Sequence, residues 1–131
     1  MSKIPPLTLL PERLAFVRFA PSDPLPAWVF HAGASVWSVT RTPRELSLLC
    51  PEDDLPPSIA HAQRGWRAFE VDGPMPLQTV GVIAALAPPL AEAGLPISVI
   101  STHDTDLLLV RESDLPRALA VLRAHFEVRE P

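Results

Sequence analysis

The 131-residue sequence predicts an α+β protein made of two similar βαββαβ units, each an antiparallel sheet with helices on one face. Three observations lead there. The two halves are related by an ungapped internal repeat at an offset of 60 residues. Short β-branched and aromatic runs alternate with helical spacings in the order strand, helix, strand, strand, helix, strand. The composition, 47% hydrophobic and 20% charged, is too apolar for a disordered chain and ordinary for a folded one.

The repeat relates residues 36–56, VWSVTRTPRELSLLCPEDDLP, to residues 96–116, PISVISTHDTDLLLVRESDLP. Nine of the 21 positions are identical: Ser38/Ser98, Val39/Val99, Thr42/Thr102, Leu48/Leu108, Leu49/Leu109, Glu52/Glu112, Asp54/Asp114, Leu55/Leu115 and Pro56/Pro116. The register continues through Ile59/Leu119, Ala60/Ala120 and Trp66/Phe126. Two units follow, 1–64 and 65–131, each small for independent stability.

In the second unit, Trp66–Val71 reads as a strand, ended by Asp72-Gly73-Pro74. Thr79 is placed to cap a helix whose apolar positions are Val82, Ile83, Leu86 and Leu90, with Gly94 as its stop. Pro88 and Pro89 lie inside that helix and should kink or split it, because each removes an N–H and crowds the preceding turn. Pro96–Ser101 is a second strand, His103-Asp104-Thr105 a polar turn, and Leu107–Val110 a continuous apolar strand. Ser113 should cap a second helix that tolerates Pro116 in its first turn and buries Leu115, Ala118, Leu119 and Leu122. Phe126-Glu127-Val128 closes the unit as a short strand, giving a ferredoxin-like sandwich.

The first unit repeats this order. Arg13–Phe19 is a strand, Leu25–Ala32 a short helix around Trp28, and Ser35–Thr40 with Leu46–Cys50 a hairpin. Pro56–Arg64 is a short, weak second helix. Trp66–Val71 is claimed by both units, as the last strand of one and the first of the other. Leu7–Leu10 should fill the resulting vacancy at the edge of the first sheet.

Several function classes are excluded. Eleven Lys+Arg face 15 Asp+Glu, a net charge of −4, and the cations are scattered rather than striped, so no nucleic-acid surface is expected. No apolar run approaches a membrane span. Met1–Pro6 has one Lys, two Pro and no apolar core, so no signal peptide is expected. Cys50 is the only cysteine, which fits a reduced, cytoplasmic protein with a small apolar side chain in a strand. The sequence has no phosphate loop, no dinucleotide glycine motif, no HExxH and no GxSxG, so no cofactor is expected.

Thr79-Val-Gly-Val-Ile-Ala-Ala-Leu-Ala-Pro-Pro-Leu-Ala-Glu-Ala-Gly94, followed by Ile97–Thr102, resembles the ACT domain, the ligand-binding module of amino-acid-responsive enzymes and sensors. The variant is similar to that of aspartate kinase regulatory regions and of the CASTOR arginine sensors. Ile100–Asp106 is similar to the polar turn after the second strand of those domains. Trp37–Leu46 is similar to the hairpin of the companion unit in the CASTOR proteins. The resemblance covers nearly the whole chain and leaves no catalytic domain over.

That resemblance implies a non-enzymatic tandem ACT protein, cytoplasmic and regulatory. It implies a homodimer with an amino acid or similar zwitterion at an interface between ACT units. The implied ligand-binding residues are Thr79, Val80, Gly81 and Val82 on the helix side, and Ser101, Thr102, His103, Asp104 and Asp106 on the turn side. The chemistry agrees. A helix N-terminus offers N–H groups and partial positive charge to an α-carboxylate, glycine allows close approach, and Asp106 or Asp104 suits an α-ammonium. The arginine sensors carry an acidic residue where this chain has Thr79, which argues against a guanidinium ligand.

Each residue also has a plainer role. Gly81 suits tight packing, Thr79 a helix cap, and Asp104 and Asp106 a solvated turn. One His with two carboxylates on a turn is a weak metal signal, and no metal is assigned. Trp28, Trp37 and Trp66 read as core or interface anchors. The alternative function is a ligand-free protein–protein assembly module. A small hydrolase using the 101–106 turn is weaker still, since no nucleophile–base pair is specified.

Overall fold

The structure, a computed structural model, describes residues 4–31, 33–76 and 78–131. Its strands are β1 Leu7–Leu9, β2 Leu14–Phe19, β3 Ser38–Arg41, β4 Leu46–Pro51, β5 Gln63–Val71, β6 Ile97–Ser101, β7 Asp106–Arg111 and β8 Val128–Arg129. Its helices are α1 Val82–Glu92 and α2 Leu115–Arg123. The chain forms two compact units, Glu12–Trp66 and Met1–Pro11 with Arg67–Pro131, and the boundary falls inside β5.

The larger unit realises the full strand–helix–strand–strand–helix–strand order with β5, α1, β6, β7, α2 and β8. Its sheet runs β6-β7-β5-β1-β8. The segment expected at the edge of the first unit is here instead. β1 pairs antiparallel with β5 (Leu7↔Val71, Leu9↔Phe69) and parallel with β8 (Leu7↔Val128, Thr8↔Arg129). The expectation of a purely antiparallel sheet is corrected by that parallel pair. The cause is burial. Leu7 and Leu9 point to one face at period 2, are 0% and 3% exposed, and join the larger core with Phe69, Val71, Leu108, Val110, Leu86, Leu90 and Leu122. On the opposite face the Thr8 hydroxyl donates to the Asp72 carboxylate at 2.8 Å.

Both helices differ from expectation in detail. α1 is not split: it runs through Pro88 and Pro89 as one helix. Pro88 is exposed and Pro89 half-buried, whereas Val82, Leu86 and Leu90 carry the buried face, so apolar packing holds the helix despite the missing N–H groups. Its first residue is Val82, preceded by Gly81 at φ 92°, and no side chain caps it. Thr79 is therefore not the cap; its hydroxyl donates to the Pro76 carbonyl at 2.6 Å. Ser113 does not cap α2, which opens without a side-chain cap from a 3-10 turn at Glu112–Asp114.

The smaller unit has the strand order β3-β4-β2-β5, all antiparallel. Its core is separate, built on Ala15, Val17, Val29, Leu46, Leu48, Cys50 and Leu55. The two helices expected at Leu25–Ala32 and Pro56–Arg64 are absent among the described residues; Ala32 lies outside them. A 3-10 turn at Ala27–Val29 stands in place of the first, and the second gives irregular chain leading into β5. Pro26 interrupts the first stretch and Pro56-Pro57 open the second, and neither leaves enough uninterrupted residues to nucleate a helix.

The repeat is reproduced in three dimensions. β3 pairs with β4 as Ser38↔Leu49, Val39↔Leu48, Thr40↔Ser47 and Arg41↔Leu46. β6 pairs with β7 as Ser98↔Leu109, Val99↔Leu108, Ile100↔Leu107 and Ser101↔Asp106, the same register one repeat later. The 3-10 turns Glu52–Asp54 and Glu112–Asp114 also correspond.

Candidate functional site

Within the larger unit a strap leaves the end of β5 as residues 72–76, which reach the β6–β7 turn, and enters α1 as residues 78–81. Its closeness to that turn is enforced by the backbone. The Met75 N–H donates to the Asp104 carbonyl at 2.6 Å, and a Cβ on Gly73 would stand 3.1 Å from the same oxygen. Glycine is favoured there by the close contact rather than by φ. The Thr105 hydroxyl ties the turn to the Val71 carbonyl.

Between strap, helix start and turn lies a cleft of about 290 Å³. It is lined by Met75, Pro76, Thr79, Gly81, Val82, Ile83 and Ala84 on one side and by residues 101–106 on the other. The structure thus brings together Thr79, Gly81, Val82, Ser101, Thr102, His103, Asp104 and Asp106, two sets separated by about twenty residues in sequence. Val80 is the exception: it does not line the cleft and is 86% exposed. Sequence reasoning missed Met75, Pro76, Ile83, Ala84 and Thr105. The Asp-Gly-Pro sequence at 72–74 signalled a turn, and only the fold shows that the chain after it, Met75 and Pro76, lines a cleft.

The polar groups have distinct tasks. Ser101 Oγ donates to Asp106 Oδ1 at 2.6 Å, which fixes one carboxylate oxygen and leaves its other lone pairs for a ligand. Thr102 is bound inside the turn: its N–H donates to the Thr105 carbonyl at 2.8 Å, and its Oγ1 accepts from the Thr105 N–H at 3.1 Å. Its counterpart Thr42 makes the same turn, with its N–H on the Glu45 carbonyl at 2.9 Å, which explains the identity at this repeat position. His103 pairs with Asp104, Nδ1 to Oδ1 at 2.9 Å, at the exposed rim.

The cleft therefore has two electrostatic ends. The first turn of α1 presents N–H groups with no side-chain cap and the positive end of the helix dipole. The turn presents the Asp106 and Asp104 carboxylates, and neither Lys nor Arg lines the cleft. Such a pair of ends complements a small zwitterion. Among the described residues no group of three or more His, Cys, Asp or Glu could hold a metal ion, and no helix is long and apolar enough to cross a membrane.

Comparison with known proteins decides the family. The ACT domain family model matches residues 61–124, which include the strap, α1, the cleft and the turn. Residues 61–124 of the chain belong to the ACT-domain family. A second model, of an N-terminal domain, matches residues 12–58. The bovine (Bos taurus) cytosolic arginine sensor for mTORC1 subunit 1 is 32% identical over 102 residues, covering 70% of this chain and 31% of that protein. The chain thus spans about a third of the length of the curated relatives it matches. Among solved structures, the ACT protein resembles Atu0741 from Agobacterium tumefaciens. The TM-score is 0.88 at 31% identity, covering 99% of this chain and 96% of that one. The regulatory subunit of aspartate kinase from Thermus thermophilus shares the fold. Its TM-score is 0.64 at 15% identity, covering 95% of this chain and all of that one.

Proposed function

We propose that this ACT protein is a non-enzymatic regulatory sensor that binds an amino acid or similar small zwitterion in the cleft between the start of α1 and the 101–106 turn. The observation that carries the reading is the opposition of uncapped helix N–H groups and the Ser101-anchored Asp106 carboxylate across one open cleft. The α-carboxylate meets the N–H groups of the first turn of α1, and the α-ammonium meets Asp106 with Asp104 beside it. Gly81, at positive φ and with open space where a Cβ would be, admits the ligand to the helix end. Thr79, Val82, Ser101, Thr102 and His103 shape the walls.

The regulatory role is supported by similarity to a protein named as an arginine sensor. Binding shifts a population of conformations that a partner protein reads. A cytoplasmic location is part of this reading, supported by a relative named as cytosolic.

The proposed assembly is a homodimer. β6, Ile97–Ser101, pairs only with β7 among the described residues, carries no charge and exposes Val99, so its free edge invites a second copy. That same edge supports the second reading, a ligand-free assembly module. A thermal-shift screen with the common amino acids separates the two. A sensor gains about 2.7 kcal/mol at a ligand concentration 100 times Kd. A flat response to all of them leaves the assembly module.

A further inference from the structure

The hydroxyls that line the cleft belong to Thr79, Ser101, Thr102 and Thr105, and each has its proton committed. Thr79 Oγ1 donates to the Pro76 carbonyl at 2.6 Å, and Ser101 Oγ donates to Asp106 Oδ1 at 2.6 Å. Thr102 Oγ1 donates to the Thr105 carbonyl at 3.2 Å, and the Thr105 hydroxyl donates to the Val71 carbonyl. A hydroxyl has one proton to give, so none of these donates to a bound molecule without breaking a contact that shapes the turn or the strap. His103 is the remaining side-chain donor in the lining, and it stands at the rim, 87% exposed and paired with Asp104. Neither Lys nor Arg lines the cleft.

The wall between these polar groups is apolar and fixed. Met75 and Ile83 are partly buried and packed against the larger core, beside Val82 at 6% exposure. Met75 is held in place from both sides of its backbone: its own N–H donates to the Asp104 carbonyl at 2.6 Å, and Gly73 lies close to the same oxygen. A thioether on a fixed backbone adapts its shape to an apolar group and offers nothing to a polar one.

We infer that the ligand is a neutral amino acid with an apolar side chain, and that Met75 and Ile83 receive that side chain. The inference rests on the reading of the cleft as a zwitterion site and names the class of zwitterion. The ligand's α-carboxylate has the N–H groups of α1, and its α-ammonium has Asp106. A side-chain carboxylate or carboxamide oxygen would exchange water for a wall without a donor, and a carboxylate would also face Asp104 and Asp106. A side-chain cation gains little, because Asp104 is 66% exposed and already paired, and an ion pair in water is weak.

The test uses the full chain and two sets of amino acids of near-equal shape. One set is leucine, asparagine and aspartate; the other is methionine, glutamine, glutamate and lysine. Calorimetric titration should find the apolar member of each set tightest, the carboxamide weaker by about tenfold or more, and the acid without measurable binding. Lysine should fall below methionine. A polar or charged member that binds as tightly as its apolar counterpart overturns the inference and leaves the sensor reading standing. Silence from every member of both sets overturns the inference, and silence from the remaining common amino acids as well overturns the sensor reading. Met75→Gln keeps the length of the side chain and adds an amide donor, so the ratio of leucine to asparagine affinity should narrow several-fold. That ratio is read within one variant and does not depend on its stability; an unchanged ratio overturns the role given to Met75.

Discussion

Asp106 is the residue on which the ligand reading turns. Its Oδ1 is committed to Ser101, so the remaining lone pairs face a cleft without a cation of its own. Asp106→Asn keeps the size and the Ser101 contact while removing the charge, so ligand affinity should fall about tenfold or more, the worth of a charge-assisted hydrogen bond, with the fold intact. Calorimetric titration checks this. Gly81→Ala tests the helix entrance: nothing stands where the Cβ would go, so the cost is that of holding a side chain at φ 92°, about 1 kcal/mol. Cys50 predicts a pH effect in the other unit. Burial, with the Asp54 charge added, pushes its thiol from 9.0 up to about 11. The folded state therefore keeps its proton when the unfolded state has lost it. Stability should be full below pH 9 and fall by about 2 kcal/mol as the pH rises from 9 toward 11. Denaturant titrations of the protein and of Cys50→Ala at several pH values measure the difference.

At the scale of elements, the two hairpins carry the molecule. Leu48 and Leu108 are fully or almost fully buried repeat equivalents in different cores. Each Leu→Ala change should cost about 2–5 kcal/mol, read from chemical denaturation. These hairpins were the most legible part of the sequence, because β-branched runs, a Thr-started turn and a 60-residue offset all state one register. The helices of the larger unit were legible from their leucine spacing, and their termini were not. Thr79 and Ser113 have the chemistry of caps, yet the chain turns at Gly81 and through Glu112–Asp114 instead. The helices missing from the smaller unit among the described residues show the limit of repeat reasoning: the hairpin register repeats, while the prolines of these stretches leave too little uninterrupted chain for a helix. β1 was misplaced because a three-residue apolar segment carries no address of its own. Its partner was chosen by the core that could bury Leu7 and Leu9. Most of the candidate cleft was legible by resemblance to ACT domains, and the strap residues Met75 and Pro76 were visible only once folded.

At the scale of the whole molecule, the proposed sensor reading requires a folded equilibrium that a metabolite adjusts. A cleft that is open at one end, polar at both poles and set on a marginal 131-residue scaffold can return a few kcal/mol of binding energy as a change in stability or association. Such an equilibrium should appear as ligand-dependent subunit association in sedimentation experiments, with the β6 edge as contact. A charged residue placed there, Val99→Lys, should weaken association without lowering the melting temperature of the monomer. The central claim is that a zwitterion sits between the helix start and the turn. It is tested most directly by amide NMR during titration with the common amino acids. Saturable shifts concentrated at Gly81–Ala84 and Ser101–Asp106 are expected. Shifts confined to other segments, or none with any amino acid, would contradict it.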